Sequence, residues 1–380
     1  MKDISLINKT ATFDLCEMGD KIFFSAACMD AICMLDIRNR QSHILCRINQ
    51  KNPFAYVQYK KTVCVNDEIW FFPVFSEEIA IYDLNKVSFL KFNKSWNGNY
   101  NEKISYIDMF SSIVPVGDYI YACGFGVPVI MKIDIRTKEI KYINDWVKEV
   151  DSRILNGDVC GFIGDGYYIE NNYLYLPIGG SPGLIKLNLK DDSTEIIWIN
   201  CNMNGFGIMK EHNHKLWFTE SKGNTSSVLA YNLDTKKIDT YKYNSHYKDI
   251  FPYQEMYFFD QRILIVPSRA GDSFWIDLRN NNVEICNEIT GVLRENRDFF
   301  SETVVCSKCI NNKIYFCTGN DFLWHEFDVE TKEIKSFYVK YDNINIVNDF
   351  IRDYYHNRHS ILLKENDILL KDYLDILKSL

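Results

Sequence analysis

What the chain lacks narrows its chemistry first. None of its 380 residues belongs to a run approaching the roughly 18 uninterrupted apolar residues of a membrane span. The opening MKDISLINKTATFDLCEMGDK has no apolar core of signal-peptide length, so a cytoplasmic chain is expected. Clusters of Lys and Arg are missing as well. A formal charge of −8 and a pI near 5.5 argue against a nucleic-acid backbone or an anionic membrane surface as partner. Only 7 histidines occur, scattered, with His212 and His214 as one HxH and His356 and His359 in the tail. They support no metal centre or triad. Phosphate-binding glycine loop, GxSxG elbow, HExxH and EF-hand loop are all absent. Neither a catalytic residue nor a cofactor is expected.

Cysteine is plentiful, at 12, yet a chain of this size needs no disulfide framework, and most sit in apolar strand-like runs such as AICMLDI and KIYFCTG. They read as reduced, buried thiols. Cys306 and Cys309 form one CxxC without a second pair, and residues three apart on a strand face opposite ways. Aromatic residues stand out at 15%, a composition suited to pleated, half-buried strands.

The chain repeats itself. A pair of Asp or Asn followed by an aliphatic residue recurs as Asp36-Ile37, Asp83-Leu84, Asp134-Ile135, Asn188-Leu189, Asn232-Leu233, Asp277-Leu278 and Asp328-Val329. Its spacing of about 44 to 54 residues is that of propeller blades. A short Asp or Asn side chain can bond the backbone two residues on and so begin a tight turn. Upstream of each pair lies an apolar strand: KIFFSA, EIWFFP, YIYACG, YLYLPI, KLWFTE, RILIVP or KIYFCT. These alternate poorly, as expected of a strand buried on both faces. A further strand precedes each, for instance SSIVPVGD before YIYACG. Four strands repeated seven times predict an all-β, seven-bladed β-propeller of four-stranded blades over residues 1–340, with a helical C-terminal tail over 341–380.

One blade, YLYLPIGGSPGLIKLNLKDDSTEIIWI, resembles a kelch repeat through Gly179-Gly180 after its second strand. Another, KLWFTESKGN followed by AYNLDTKKIDTY, resembles virginiamycin B lyase, a propeller enzyme family. That resemblance implies a divalent metal with acid/base residues on one face, and Glu220 occupies the motif position. No histidine follows Glu220 closely, and the repeated Asp-box of sialidase-type propellers is absent.

In such a ring the links between blades share one face with the loops from second to third strand. The long insertions are links: Asn93–Lys103, Asn144–Asp165, Asn244–Gln254 and Glu288–Ser301. They carry Trp96, Tyr100, Trp146, Tyr247, Phe251, Tyr253 and Phe299. Aromatic anchors on loops of a rigid scaffold suit recognition, although any one ring can equally be packing its loop down. A short helix is expected over about 144–157, with Lys148, Glu149 and Arg153 on its polar side. Glu77, Glu78, Glu220, Arg269, Asp272, Asn320 and Asp321 are same-face polar residues that could meet at the axial mouth, Arg269 for an anion, the acids for hydroxyls or a hard cation.

The leading expectation is therefore a non-catalytic scaffold for a protein or peptide partner. The alternative is an enzyme, or a sugar or small-molecule binder, at the axis. With four strands in 11–49 and four in 303–340, the ring is expected to close by packing alone, Asp3–Asn8 being an edge strand or loose arm. The terminal NDILLKDYLDILKSL places Leu370, Tyr373, Leu374, Leu377 and Leu380 on one stripe, which predicts an amphipathic helix docked on the propeller.

Overall fold

A computed structural model of the chain describes residues 12–26, 29, 31–48, 58–74, 77–93, 109–151, 161–221, 227–243, 253–268, 272–294, 304–319, 323–343, 345–347 and 349–350. The first blade is β1 (Cys16–Met18), β2 (Lys21–Ala26), β3 (Ala31–Asp36) and β4 (Gln41–Arg47). The second is β5 (Tyr59–Val65), β6 (Glu68–Pro73), β7 (Glu78–Tyr82) and β8 (Val87–Lys91). The third is β9 (Phe110–Val116), β10 (Tyr119–Gly124), β11 (Ile130–Asp134) and β12 (Ile140–Ile143), followed by a short helix, α1 (Val147–Asp151). The fourth is β13 (Tyr168–Glu170), β14 (Tyr173–Pro177), β15 (Gly183–Asn188) and β16 (Thr194–Trp198). The fifth is β17 (Phe206–His212), β18 (Lys215–Glu220), β19 (Ser227–Asn232) and β20 (Ile238–Lys242). The sixth is β21 (Tyr253–Phe259), β22 (Arg262–Pro267), β23 (Phe274–Asp277) and β24 (Asn282–Ile285), after which comes α2 (Asn287–Arg294). The seventh is β25 (Val304–Ile310), β26 (Lys313–Thr318), β27 (Trp324–Asp328) and β28 (Ile334–Phe337), with β29 (Lys340–Tyr341) beyond it. Each blade is an antiparallel meander, and the first strands of neighbours lie side by side around the axis.

The second strand of each blade explains the core. Alternate side chains point to opposite sheet faces, so successive residues enter different interfaces. Ile69 and Phe71 of β6 pack against the first blade, while Trp70 and Phe72 pack against the third. Seven apolar clusters result, one between each pair of adjacent blades. Both faces of these strands are thus buried, which is why their sequences do not alternate.

The Asp/Asn-aliphatic pair does two jobs. In all seven blades its carboxylate or amide oxygen accepts the N–H two residues on, at 2.9–3.1 Å. In six blades the N–H of the aliphatic residue also donates to the carbonyl of the other hairpin on that face, as Ile135 does to Asp118 and Leu189 to Asn172. The second blade departs: Leu84 takes φ 71° and the turn is shorter. The first-to-second strand hairpins use left-handed pairs such as Asn66-Asp67, Asn171-Asn172 and Asn311-Asn312, which match strand twist.

Two expectations change. Packing alone does not close the ring: β29 adds in parallel to the outer edge of β4, with Lys340 opposite Gln41 and Tyr341 opposite Ser42. The chain leaving the seventh blade therefore clasps the first. Just past it, Val347 is fully buried in the cluster between those two blades, and Phe350 packs on the same cluster under Arg47. The second change concerns α1, which covers Val147–Asp151: residues 144–146 lead into it without being helical, and 152–157 of the expected 144–157 helix lie outside the described residues. Asp3–Asn8 and the terminal amphipathic stripe lie outside them too. Unforeseen is α2, whose Ile289 and Leu293, one turn apart, seal the interface between sixth and seventh blades.

Candidate functional site

Five of the first strands, β5, β9, β17, β21 and β25, carry a register shift close to their start. A bulge bends a strand and re-aims the side chain beside it. Lys61 stands just past the shift in β5, Ser112 in β9 and Glu255 in β21. The fourth blade goes further. Ile163 pairs with Ile178 of its own blade, and then the backbone crosses over so that Asp165 bridges Ile208 of β17 in parallel. Asp165 donates its N–H to the Gly207 carbonyl at 2.6 Å, and its carbonyl accepts the Met209 N–H at 2.7 Å. Gly166 follows at φ 91°, where a Cβ would collide with the Met209 carbonyl oxygen.

These departures bring together side chains from blades that are not neighbours. Lys61 of the second blade donates to Asp165 of the fourth at 2.7 Å. Ser112 of the third donates to the same carboxylate at 3.1 Å, and the Gly166 N–H does so at 2.8 Å. Lys210 of the fifth blade pairs with Glu255 of the sixth at 3.0 Å, and Tyr257 of the sixth donates to Ser307 of the seventh at 3.0 Å. Asp14, leading into β1, accepts the Thr62 N–H at 2.7 Å. An ion pair reaching from second to fourth blade passes in front of the first strand of the third, whose Ser112 joins it, so this cluster lines the central channel. Asp165 is half-buried, with 42% of its side chain accessible.

The charges hold one another ionised. Enclosure would raise the Asp165 carboxyl, but Lys61, Lys210 and Ser112 overcome it and hold it below the usual carboxylate value. Burial pulls the Lys61 ammonium down, and Asp165 and Asp14 more than reverse this. Lys210 is likewise pulled down by burial and raised on balance by Glu255. Asp14 differs: burial dominates and its carboxyl rises despite Lys61 and Lys308. The thiols are poor nucleophiles, burial pushing Cys46 and Cys286 up to about 11.

Of the residues expected to form a binding face, two aromatic ones are described, and both pack inward. Trp146 is buried against Phe162 and donates to the Ile143 carbonyl. Tyr253 is buried edge-on to Tyr243. Glu220 is 2% exposed and accepts from the backbone N–H and side-chain amide of Asn204. Glu78 lies 3.9 Å from Lys91, Glu77 is exposed and Asp272 is half-buried. Trp96, Tyr100, Arg153, Tyr247, Phe251, Arg269, Phe299, Asn320 and Asp321 lie outside the described residues. The axial cluster itself escaped the sequence reading. Its signal was a charged residue inside an otherwise apolar first strand, Lys210 in FGIMKEH or Glu255 in YQEMYFF, together with the glycine-flanked Asp165 in GFIGDG.

No family model matches the chain, and no curated protein sequence does. Solved structures share its fold at low identity. A catalytically inactive virginiamycin B lyase from Staphylococcus aureus, with quinupristin, superposes with a TM-score of 0.58 at 12% identity, over 84% of this chain and 94% of that one. YCF48 from Cyanidioschyzon merolae gives 0.58 at 8% identity, over 85% and 97%. PorZ of Porphyromonas gingivalis gives 0.54 at 12%, over 87% of this chain and 38% of that one. At such identities the likeness establishes the seven-bladed ring and nothing of activity.

Proposed function

We propose that the chain is a non-catalytic scaffold that holds a protein or peptide partner on the face bearing the long inter-blade links. The observation behind this reading is the asymmetry of the two faces. On the hairpin face the turn-forming Asp and Asn side chains spend their acceptors on their own backbone. The long links all leave from the other face. Trp146 and Tyr253 support that face from inside, which leaves Trp96, Tyr100, Tyr247 and Phe299 as the recognition candidates. Against an axial enzyme, Asp165, Lys61 and Lys210 are shifted away from neutrality, whereas a general acid or base works best near the operating pH. The metal-assisted lyase reading loses support because Glu220 is buried and engaged with Asn204. Kinship with kelch-type propellers rests on Gly179-Gly180 of a single blade.

The test is a pull-down from native extract with the wild-type chain and with a W96A/Y100A/Y247A/F299A chain, each first shown to melt alike. A partner recovered by the first and lost by the second is expected. Equal recovery, or no specific partner for either chain, would overturn the reading.

A further inference from the structure

The chain that clasps the ring continues past the clasp. β29 lies beside Gln41 and Ser42 at the start of β4, and Phe350 lies under Arg47 at its end. Between these points Asn343 starts a helical turn, accepting the Ile346 N–H on its side chain at 3.2 Å and the Val347 N–H on its carbonyl at 3.3 Å. The segment therefore climbs the outer edge of the first blade from the hairpin face to the link face, and the 30 residues beyond Phe350 set out from there. The other side of β4 belongs to a different seam. Its Leu45 and Cys46, just before Arg47, pack with Met34 on the cluster between first and second blades. Across that seam β8 brings Val87 to the same cluster and sets Phe89 opposite Ala80, a buried member of it. Phe89 thus faces the first blade. It is nevertheless 46% exposed, the most of any large apolar residue among the described ones.

We propose that the outer rim of the seam between first and second blades docks the amphipathic stripe of residues 366–380 of the same chain. Three other seams already carry helical residues on their apolar clusters. These are Val147 and Val150 of α1 between third and fourth blades, Ile289 and Leu293 of α2 between sixth and seventh, and Val347 between seventh and first. The cluster between first and second blades carries none among the described residues, and Phe89 stands at its rim. Leu370, Tyr373, Leu374 and Leu377 form a stripe that a helix this short must bury in order to hold in water. The lengths agree. The 15 residues from Asn366 to Leu380 span about 22 Å as a helix, and the seven residues of β4 span about 23 Å as a strand. The reach is ample, since the 15 residues between Phe350 and Asn366 extend to about 50 Å. Only one sheet, with neighbouring sheets stacked about 10 Å apart, separates the two sides of β4.

This docking does not depend on the scaffold reading, since it concerns the outer edge of the ring and not the link face. The test is hydrogen exchange of the full chain, read by mass spectrometry on peptides from 366–380. Protection at least about tenfold over the free peptide of that sequence is expected, and it should not change with protein concentration. Phe89→Asp should abolish it. Ile285→Asp should leave it intact, because it puts the same charge at an apolar residue 39% exposed on the outer strand of the sixth blade. Leu374→Asp, a change in the tail alone, should speed alkylation of the half-buried Cys46 thiol by at least about threefold, so the outcome does not hang on how well the Phe89 variant folds. No protection of 366–380 in the native chain, protection that survives Phe89→Asp in a folded ring, or an unchanged Cys46 rate would each overturn the proposal. Protection that vanishes on dilution would overturn it in favour of a second copy. Protection that appears only when another protein is added would overturn it in favour of a partner.

Discussion

The seam between seventh and first blades is where the ring is most open to attack, and Val347 is the side chain to perturb. These two blades are joined by no link of their own. Among the described residues they meet through the β29–β4 pairing, the Arg40–Glu326 ion pair and one apolar cluster, to which Val347 contributes a completely buried side chain together with Val339 and Phe337. Val347→Ala removes two methyl groups from a packed site, for an expected loss of about 1–2 kcal/mol. In a chain of this length that lowers the melting temperature by about 1–3 °C. Val347→Asp should do more, because an unpaired carboxylate cannot remain there. The segment then detaches, and the loss is capped at the free energy with which it docks. Detachment is visible at two amides: Lys340 N–H donates to the Arg40 carbonyl and Asp342 N–H to that of Ser42. Both should lose protection in hydrogen exchange in the Asp variant, and Gln41 and Ser42 should become a free edge. The His43–Asp342 pair, 37% and 42% exposed, adds little to this seam. If Val347→Asp leaves both the melting temperature and the exchange of Lys340 and Asp342 unchanged, the clasp does not close the ring.

Three other outcomes follow from the same structure. Gly166→Ala should cost at least about 2 kcal/mol in urea unfolding, through both its φ and its collision with Met209, whereas Gly117→Ala, which meets open space, should cost about 1 kcal/mol or less; equal losses would refute the close approach to β17. Lys61→Met should destabilise by about 1–3 kcal/mol, discounted for solvent in the channel, and adding Asp165→Asn should recover part of it; strictly additive losses would mean the pair is not coupled. The Asp134, Asp165, Asp192 and Asp328 carboxyls lie below their ordinary value in the fold, so they stabilise it above the unfolded value of about 3.9 and cease to do so as pH falls through their folded values. Asp14, raised by burial, acts in the opposite sense. Melting temperature should hold down to about pH 5 and fall steeply below about pH 4; a flat profile to pH 3 would contradict this.

The amino-acid sequence by itself determined the blade, because the blade is made locally. An Asp or Asn that bonds two residues ahead, a left-handed Asn pair in a hairpin and a run such as EIWFFP all act within one unit, and their recurrence fixes the number of blades. The same reading separated the two faces, since that follows from an antiparallel meander. The tertiary structure alone decided the fate of the aromatic links and the composition of the axis. Trp146 in a link reads equally as an anchor or as packing until its surroundings exist, and the blade beneath it settles that it is packing. Lys61 and Asp165 are 104 residues apart, and in the sequence each is merely a charged residue near the start of a strand. Their meeting requires a closed ring, bulges that turn side chains inward, and a glycine that lets one backbone touch another. Closure had the same character: Lys340 and Tyr341 resemble any short polar connection, and only the free edge of β4, brought round through seven blades, makes them a strand.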